Sequence, residues 1–311
     1  MTRIAAIGTG GWGKNHVRVL SELGVLVAVC DLDRSRSETF SKKYGVNGYT
    51  DLDEMLRSEK LDGVTIATPA TTHFSVASKT LQAGINSFVE KPMTSSVKEG
   101  EDLIKIAEKA GKFLTVGFVE RFNPAISELK KITKQGTLGR PILFEYHREN
   151  RRGDNITDVG VVKDASVHDI DTARWLFDEE PKTVYARVGS VMGKNEDFAT
   201  ILLGFGGERT AFITTNWVTP MRIRELNAVF TKGVVTVDFI TQEMQVHEEE
   251  GTRVPKHAFV EPLVLELTEF IAAIEEKRQP LVTGMDGLSA IRIAEAVLAS
   301  SKSGSPIYLS H

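Results

Sequence analysis

Two short clusters in this 311-residue chain carry side chains of the kind that move protons. Asp164 and His168 stand four positions apart in DASVHDID, a spacing that on a helix brings carboxylate and imidazole together. Such a carboxylate fixes the imidazole tautomer and stabilises the imidazolium formed when the ring takes a proton. Taken alone, the pair fits equally well a helix N-cap and an unrelated histidine one turn on. Lys91, in Glu90-Lys91-Pro92, follows a short apolar run. Its ammonium could stabilise alkoxide character on a substrate oxygen, or serve as the base if burial lowers its pKa; an ordinary lysine at a turn is the plain alternative. His168, Asp169 and Asp171 can also be read as metal ligands, but no further ligand pair has suitable spacing, so no metal is expected. Arg148, Arg151 and Arg152 precede this segment, and Arg222 and Arg224 follow it. Guanidinium groups suit bidentate contact with phosphate or carboxylate, and serve equally as surface charge.

A base and a positive group complete an alcohol oxidation only if something accepts the hydride, and the first turn of the chain supplies a place for it. In IAAIGTGGWGKNHVRVL the apolar Ile4 to Ile7 run leads through Gly8, Gly10, Gly11, Trp12 and Gly13 into a segment with Val17, Leu20 and Leu23 on one helical face. Strand, glycine turn and helix in that order cradle a pyrophosphate at the helix N-terminus. Trp12 is expected to cover the phosphates or pack beside them. Asp31 ends the second apolar run, 18 positions beyond Gly13 and near the ~20-residue offset of a ribose-binding acid. Its carboxylate would lie a few ångströms from a 2′-phosphate, a repulsion of up to ~4 kcal/mol per unit-charge pair at an effective dielectric constant of 20. NAD is therefore expected over NADP, which Arg34 and Arg36 just beyond leave open.

The elements that must position these groups follow from periodicity. Helices are expected over Arg34 to Tyr44, around Met55 and Leu56 with Asp51 as cap, from Thr71 or Thr72 to Ala83, and over Val97 to Ala110. Strands are expected at Val64 to Ala67, Ile85 to Val89 and Phe113 to Phe118. This alternation predicts an α/β fold opening with a doubly wound parallel sheet, its ligand beyond the strand carboxyl ends. Near residue 122 the pattern changes. From Arg140 come alternating runs ILFEYHREN, TVYARVGSVM, FATILLGFG, RTAFITTNWV, LNAVF, VVTVDFI and EMQVHEE, which predict a mainly antiparallel sheet with one covered face. Helices are expected at Asp164 to Phe177, Val260 to Glu276 and Gly287 to Ser300. The expected division is therefore 1–122, a Rossmann dinucleotide-binding domain, and 123–311, a domain for substrate and oligomerisation.

Composition narrows the class. The net charge of −4 comes without a long basic stripe, so no nucleic-acid partner is expected. No apolar run approaches the ~20 residues that span a bilayer, and the N-terminus runs directly into a strand, so no membrane association and a cytoplasmic location are expected. The single cysteine, Cys30, leaves no internal disulfide and reads as a small buried hydrophobe.

The chain resembles the glucose-fructose oxidoreductase and inositol dehydrogenase family throughout its length. The resemblance rests on GTGGWG (Gly8 to Gly13), ATPATTH (Ala67 to His73), EKP (Glu90 to Pro92), ERFNP (Glu120 to Pro124) and DASVHDID, in family order. It implies a Rossmann domain followed by an α/β domain whose open sheet supports homodimers or homotetramers. It also implies Thr68, Pro69, His73, Glu90, Lys91 and Arg121 at the cofactor, and Lys91, Asp164 and His168 at the substrate as the catalytic set. Where the family often has glycine two residues after the aspartate, this chain has Ser166. The segments DVGVVKDASVHDIDTARWLF and NWVTPMRIREL resemble the UDP-N-acetylglucosamine 3-dehydrogenase branch, which implies a nucleotide sugar with some of the arginines near its diphosphate. An inositol or free-sugar dehydrogenase is the neighbouring reading. Some relatives of this fold are ligand-sensing regulators without turnover; retention of Lys91, Asp164 and His168 favours the enzyme.

Overall fold

The computed structural model describes residues 2–151 and 159–309, and the chain divides into two compact units. The first comprises Met1–Phe118 with Leu263–Ile291, the second Val119–Pro262 with Arg292–His311.

In the first unit, strands β1 (Ile4–Ile7), β2 (Leu26–Cys30), β3 (Asn47–Tyr49), β4 (Gly63–Ile66), β5 (Asn86–Val89) and β6 (Leu114–Val116) form one parallel sheet in the order β3-β2-β1-β4-β5-β6. The order reverses between β1 and β4, the place where doubly wound sheets take their ligand. Helices α1 (Gly13–Glu22), α2 (Arg34–Tyr44), α3 (Leu52–Ser58), α4 (His73–Gln82) and α5 (Val97–Ala110) connect the strands. Their ends follow local chemistry. Asp33, Asp51 and Ser96 accept backbone N–H bonds as N-caps of α2, α3 and α5, and Gly45 and Gly111 close α2 and α5 with positive φ. Two expectations differ. The short β3 has Asn47 and Gly48, poor strand formers, at its start and owes its state to pairing with β2. The threonine expected to cap α4 makes no side-chain cap bond, because the Thr72 hydroxyl points back to Thr68 and Pro69.

In the second unit α6 (Pro124–Gln135) comes first, a helix beyond those expected from periodicity. It carries plain terminal signals: the Asn123 side chain as cap, Pro124 in the first turn and Gly136 at φ 65. Then follow β7 (Pro141–Glu149), α7 (Val167–Phe177), β8 (Thr183–Gly189), β9 (Phe198–Gly204), β10 (Thr210–Asn216), β11 (Ile223–Phe230), β12 (Gly233–Asp238), β13 (Met244–Glu248) and β14 (Gly251–Arg253). The chain continues through α8 (Pro262–Glu276) and α9 (Gly284–Ser303) to β15 (Ile307–Tyr308). The sheet order is β14-β13-β12-β11-β7-β10-β9-β8-β15, antiparallel except that β10 runs parallel to β7. One face buries Phe144, Tyr146, Ile201, Ile213, Leu226 and Val235; Tyr185, Phe198 and Leu202 on other positions are exposed. This alternation is what one covered face predicts.

The segment Leu263–Ile291 groups with the first unit, although the change of pattern at residue 122 assigns it to the second half of the sequence. Its Phe270 ring lies 5.8 Å from that of Phe88, and the Thr115 hydroxyl donates to the Val282 carbonyl at 2.5 Å.

Candidate functional site

The glycine turn after β1 is shaped by close backbone approach. Gly8 has φ +83, and a Cβ there would come within 2.7 Å of the Ala67 carbonyl oxygen; a Cβ at Gly13 would stand 2.0 Å from the Gly8 carbonyl oxygen. Neither position admits a side chain. At Gly10 the space is limited only by the far end of the Arg36 side chain. Asp31, only 8% exposed, accepts from the Thr9 backbone N–H at 2.8 Å, the Thr9 hydroxyl at 2.9 Å and the Asp33 N–H at 2.9 Å. The Arg36 Nε lies 3.5 Å from Asp31 Oδ1 and 3.2 Å from Asp33 Oδ2, so one of the two arginines noted in the sequence does stand beside the acid. A turn with glycine at the positions of close approach, a helix N-terminus and an anchored carboxylate at the end of the next strand fit a dinucleotide.

The EKP segment is tied to this turn. Glu90, buried, accepts from Trp12 Nε1 at 2.9 Å, lies 2.8 Å from His16 Nε2, and takes the Lys91 N–H at 3.2 Å. Trp12 and His16, one helical turn apart, thus converge on one carboxylate, while Trp12 as a residue remains 47% exposed. Glu90, expected at the cofactor, holds Trp12, His16 and the Lys91 backbone together. Lys91 is partly exposed and its peptide bond to Pro92 is cis. His73, also expected at the cofactor, is buried, with Nδ1 2.8 Å from the Pro92 carbonyl oxygen and Nε2 2.9 Å from that of Thr68. It links the Thr68-Pro69 loop after β4 to the segment after β5.

In the second unit Asp164 lies in a π-helical turn, Val162–Ser166, that leads into α7, where an unbroken α-helix was expected. Among Val161–Val167 and His168, only Lys163, Asp164 and His168 are partly exposed, the others buried. π-turns of this kind recur at functional sites. Ser166, in the position where glycine is frequent, is buried within the turn.

The arginines separate into different roles. Arg148, expected to meet an anionic substrate, is 2% exposed; its Nε reaches Asp169 Oδ1 and Oδ2 at 3.0 and 2.9 Å, its Nη2 reaches Oδ1 at 2.8 Å, and its Nη1 reaches Glu120 at 3.0 Å. Burial works against this charge, but the carboxylates of Asp169 and Glu120 outweigh it and hold the guanidinium pKa above its ordinary range. Arg121, expected at the cofactor, donates to Asp171 at 2.7 and 2.6 Å from a buried position. Both side chains bind internal carboxylates in this structure. Asp169 and Asp171, weighed in the sequence as metal ligands, are their partners. Arg151 is exposed, Arg152 lies outside the described residues, and Arg224 is partly buried beside Arg148.

Comparison with known proteins agrees with this architecture. Residues 2–118 match the oxidoreductase family with an NAD-binding Rossmann fold, and residues 126–236 match the GFO/IDH/MocA C-terminal domain. The chain belongs to the GFO/IDH/MocA oxidoreductase family. It is 29% identical to an inositol 2-dehydrogenase of Rubrobacter xylanophilus, over 97% of this chain and 92% of the relative. It is 26% identical to a UDP-N-acetylglucosamine 3-dehydrogenase of Acidithiobacillus ferrooxidans, over 92% of each. The solved structure of the Acidithiobacillus enzyme, GnnA, superposes with a TM-score of 0.90 at 25% identity, covering 97% of this chain and 98% of that one. The protein is an NAD-dependent oxidoreductase, and its first unit is the NAD-binding domain. No described helix is long and apolar enough to cross a membrane.

Proposed function

We propose that this protein oxidises a ring hydroxyl of a sugar, with a nucleotide sugar of the UDP-N-acetylhexosamine type as substrate and position 3 as the reacting carbon. Bound NAD supplies the hydride acceptor. His168 takes the hydroxyl proton, Asp164 orients the imidazole and stabilises its charged form, and Lys91 opposes negative charge on the reacting oxygen. The observation that carries this reading is the partial exposure of both Asp164 and His168, four positions apart at the π-turn, in a chain whose glycine turn and Asp31 fit a dinucleotide. The fit to GnnA over nearly the whole of both chains supports the substrate class.

The 29% identity to an inositol 2-dehydrogenase favours a second reading, oxidation of an inositol or free sugar. On either reading residues 123–311 supply substrate contacts and subunit contacts, the latter making a cytoplasmic homodimer or homotetramer through the sheet face bearing Tyr185 and Leu202.

The test is NADH production, followed at its near-ultraviolet absorbance, with UDP-N-acetylglucosamine, UDP-N-acetylgalactosamine, myo-inositol, scyllo-inositol and free hexoses. The expected result is turnover of a UDP-N-acetylhexosamine. Turnover of an inositol alone selects the second reading. NAD binding without turnover of any of them replaces both with a sensor.

A further inference from the structure

We infer that Arg224 forms a binding subsite for an anionic group on the sugar substrate, either the phosphate of a sugar nucleotide or the carboxylate of a sugar acid. The inference rests on the reading of a sugar substrate, and makes its charge specific.

Arg224 stands on β11 directly opposite Arg148 on β7, so both side chains leave the same face of the sheet. Their electrostatic situations differ. Arg148 is hydrogen-bonded through Nε and both Nη atoms to Asp169 and Glu120. Arg224 is left with Glu120 at 3.6 Å from Nη1, beyond a hydrogen bond, and its Nε is buried with no acceptor. Its backbone carbonyl takes the Phe239 N–H, so that element offers no acceptor to the side chain through this contact. Three guanidinium groups, Arg148, Arg222 and Arg224, here face two carboxylates, Glu120 and Asp169. Burial, then the neighbouring Arg148, depress the Arg224 pKa to about 10, the mark of a cation lacking full compensation.

A folded chain that only stabilised itself would place an acceptor here or an apolar side chain, because a half-buried donor without a partner costs free energy. The Arg224 side chain is 30% exposed, so a ligand can reach it from solvent. An arriving anion supplies the missing counter-charge, and a planar guanidinium pairs with phosphate or carboxylate in a charge-assisted bond. The location ties this to the chemistry: Glu120 and Arg148 lead from Arg224 to Asp169, the residue following His168.

The experiment is calorimetric titration of the full chain with UDP, uridine, D-glucuronate and D-glucose, for wild type, Arg224→Gln and Arg224→Lys, with thermal melting of Arg224→Met. UDP or glucuronate should bind wild type more tightly than its neutral counterpart and lose about 10- to 100-fold in Arg224→Gln, with partial recovery in Arg224→Lys and NAD affinity unchanged. Loss for UDP identifies a phosphate, loss for glucuronate a carboxylate. Arg224→Met should melt at or above the wild-type temperature, since the empty protein is relieved of an uncompensated cation. Equal anion affinity in wild type and Arg224→Gln, or a melting point several degrees lower in Arg224→Met, overturns the subsite. Because binding is read without turnover, these outcomes stand whether or not the NADH screen finds a substrate.

Discussion

Arg148 grips Asp169 through both Nε and Nη2 at 2.8 to 3.0 Å, joining β7 to α7 inside the second unit. Breaking such a buried pair leaves an uncompensated charge, at a cost of about 3–5 kcal/mol. Asp169→Asn should therefore lower the unfolding free energy by several kcal/mol in denaturant titration. Replacing both partners, Arg148→Met with Asp169→Leu, should recover part of that loss. A single-variant loss under about 1 kcal/mol would mean the pair is solvated in solution.

Asp31 anchors Thr9 and the start of α2 and, on the ribose reading, meets the cofactor hydroxyls. Asp31→Ala should weaken NAD by about tenfold or more, the value of a charge-assisted hydrogen bond, and weaken NADP less. Calorimetry with each cofactor checks this, with Thr9→Val reporting what loosening of the turn alone does. Equal weakening of both cofactors removes Asp31 from the ribose.

His168→Ala should lower kcat by about 10²- to 10⁴-fold, the usual worth of a general base, with NAD affinity nearly unchanged. Asp164→Asn should lower kcat less and shift the pH-rate profile. A large loss of NAD binding in His168→Ala would assign the histidine a different role.

Cys30 is buried, and burial first, then the adjacent Asp31, raise its thiol pKa to about 12. A neutral acid whose folded pKa exceeds its unfolded one holds its proton longer in the folded state, so its contribution to stability falls as pH rises from about 9 towards 12. Wild type should lose stability over that window faster than Cys30→Ala by up to about 1.4 kcal/mol per pH unit. At pH 8 the native thiol should stay silent to a disulfide reagent and react fully in denaturant; rapid labelling of the native protein would contradict its burial.

Much of this protein was legible in its sequence because the signals are local. Gly8 at φ +83, the cap Asp51, and the bounds of α2 and α5 depend on residues a few positions apart, and the expected and observed ranges for those two helices coincide. The first unit's parallel sheet follows from strand and helix alternation, and the strands of the second from alternating polarity. Helix α6 carries equally local signals in Asn123, Pro124 and Gly136, at the point where the sequence pattern changes from alternating strands and helices to strands.

What tertiary structure alone decided is the destination of charge and of distant chain. An arginine in sequence is a cation awaiting a partner, and whether that partner is a ligand or Asp169, 21 positions on, depends on strands and helices meeting. Folding committed Arg148 and Arg121 to internal carboxylates and left Arg224 without an acceptor within hydrogen-bond reach. It also sent Leu263–Ile291 back to the first unit, where Phe270 packs near Phe88. Periodicity states which face of a helix is apolar; the surface that covers it is chosen among all those the folded chain presents.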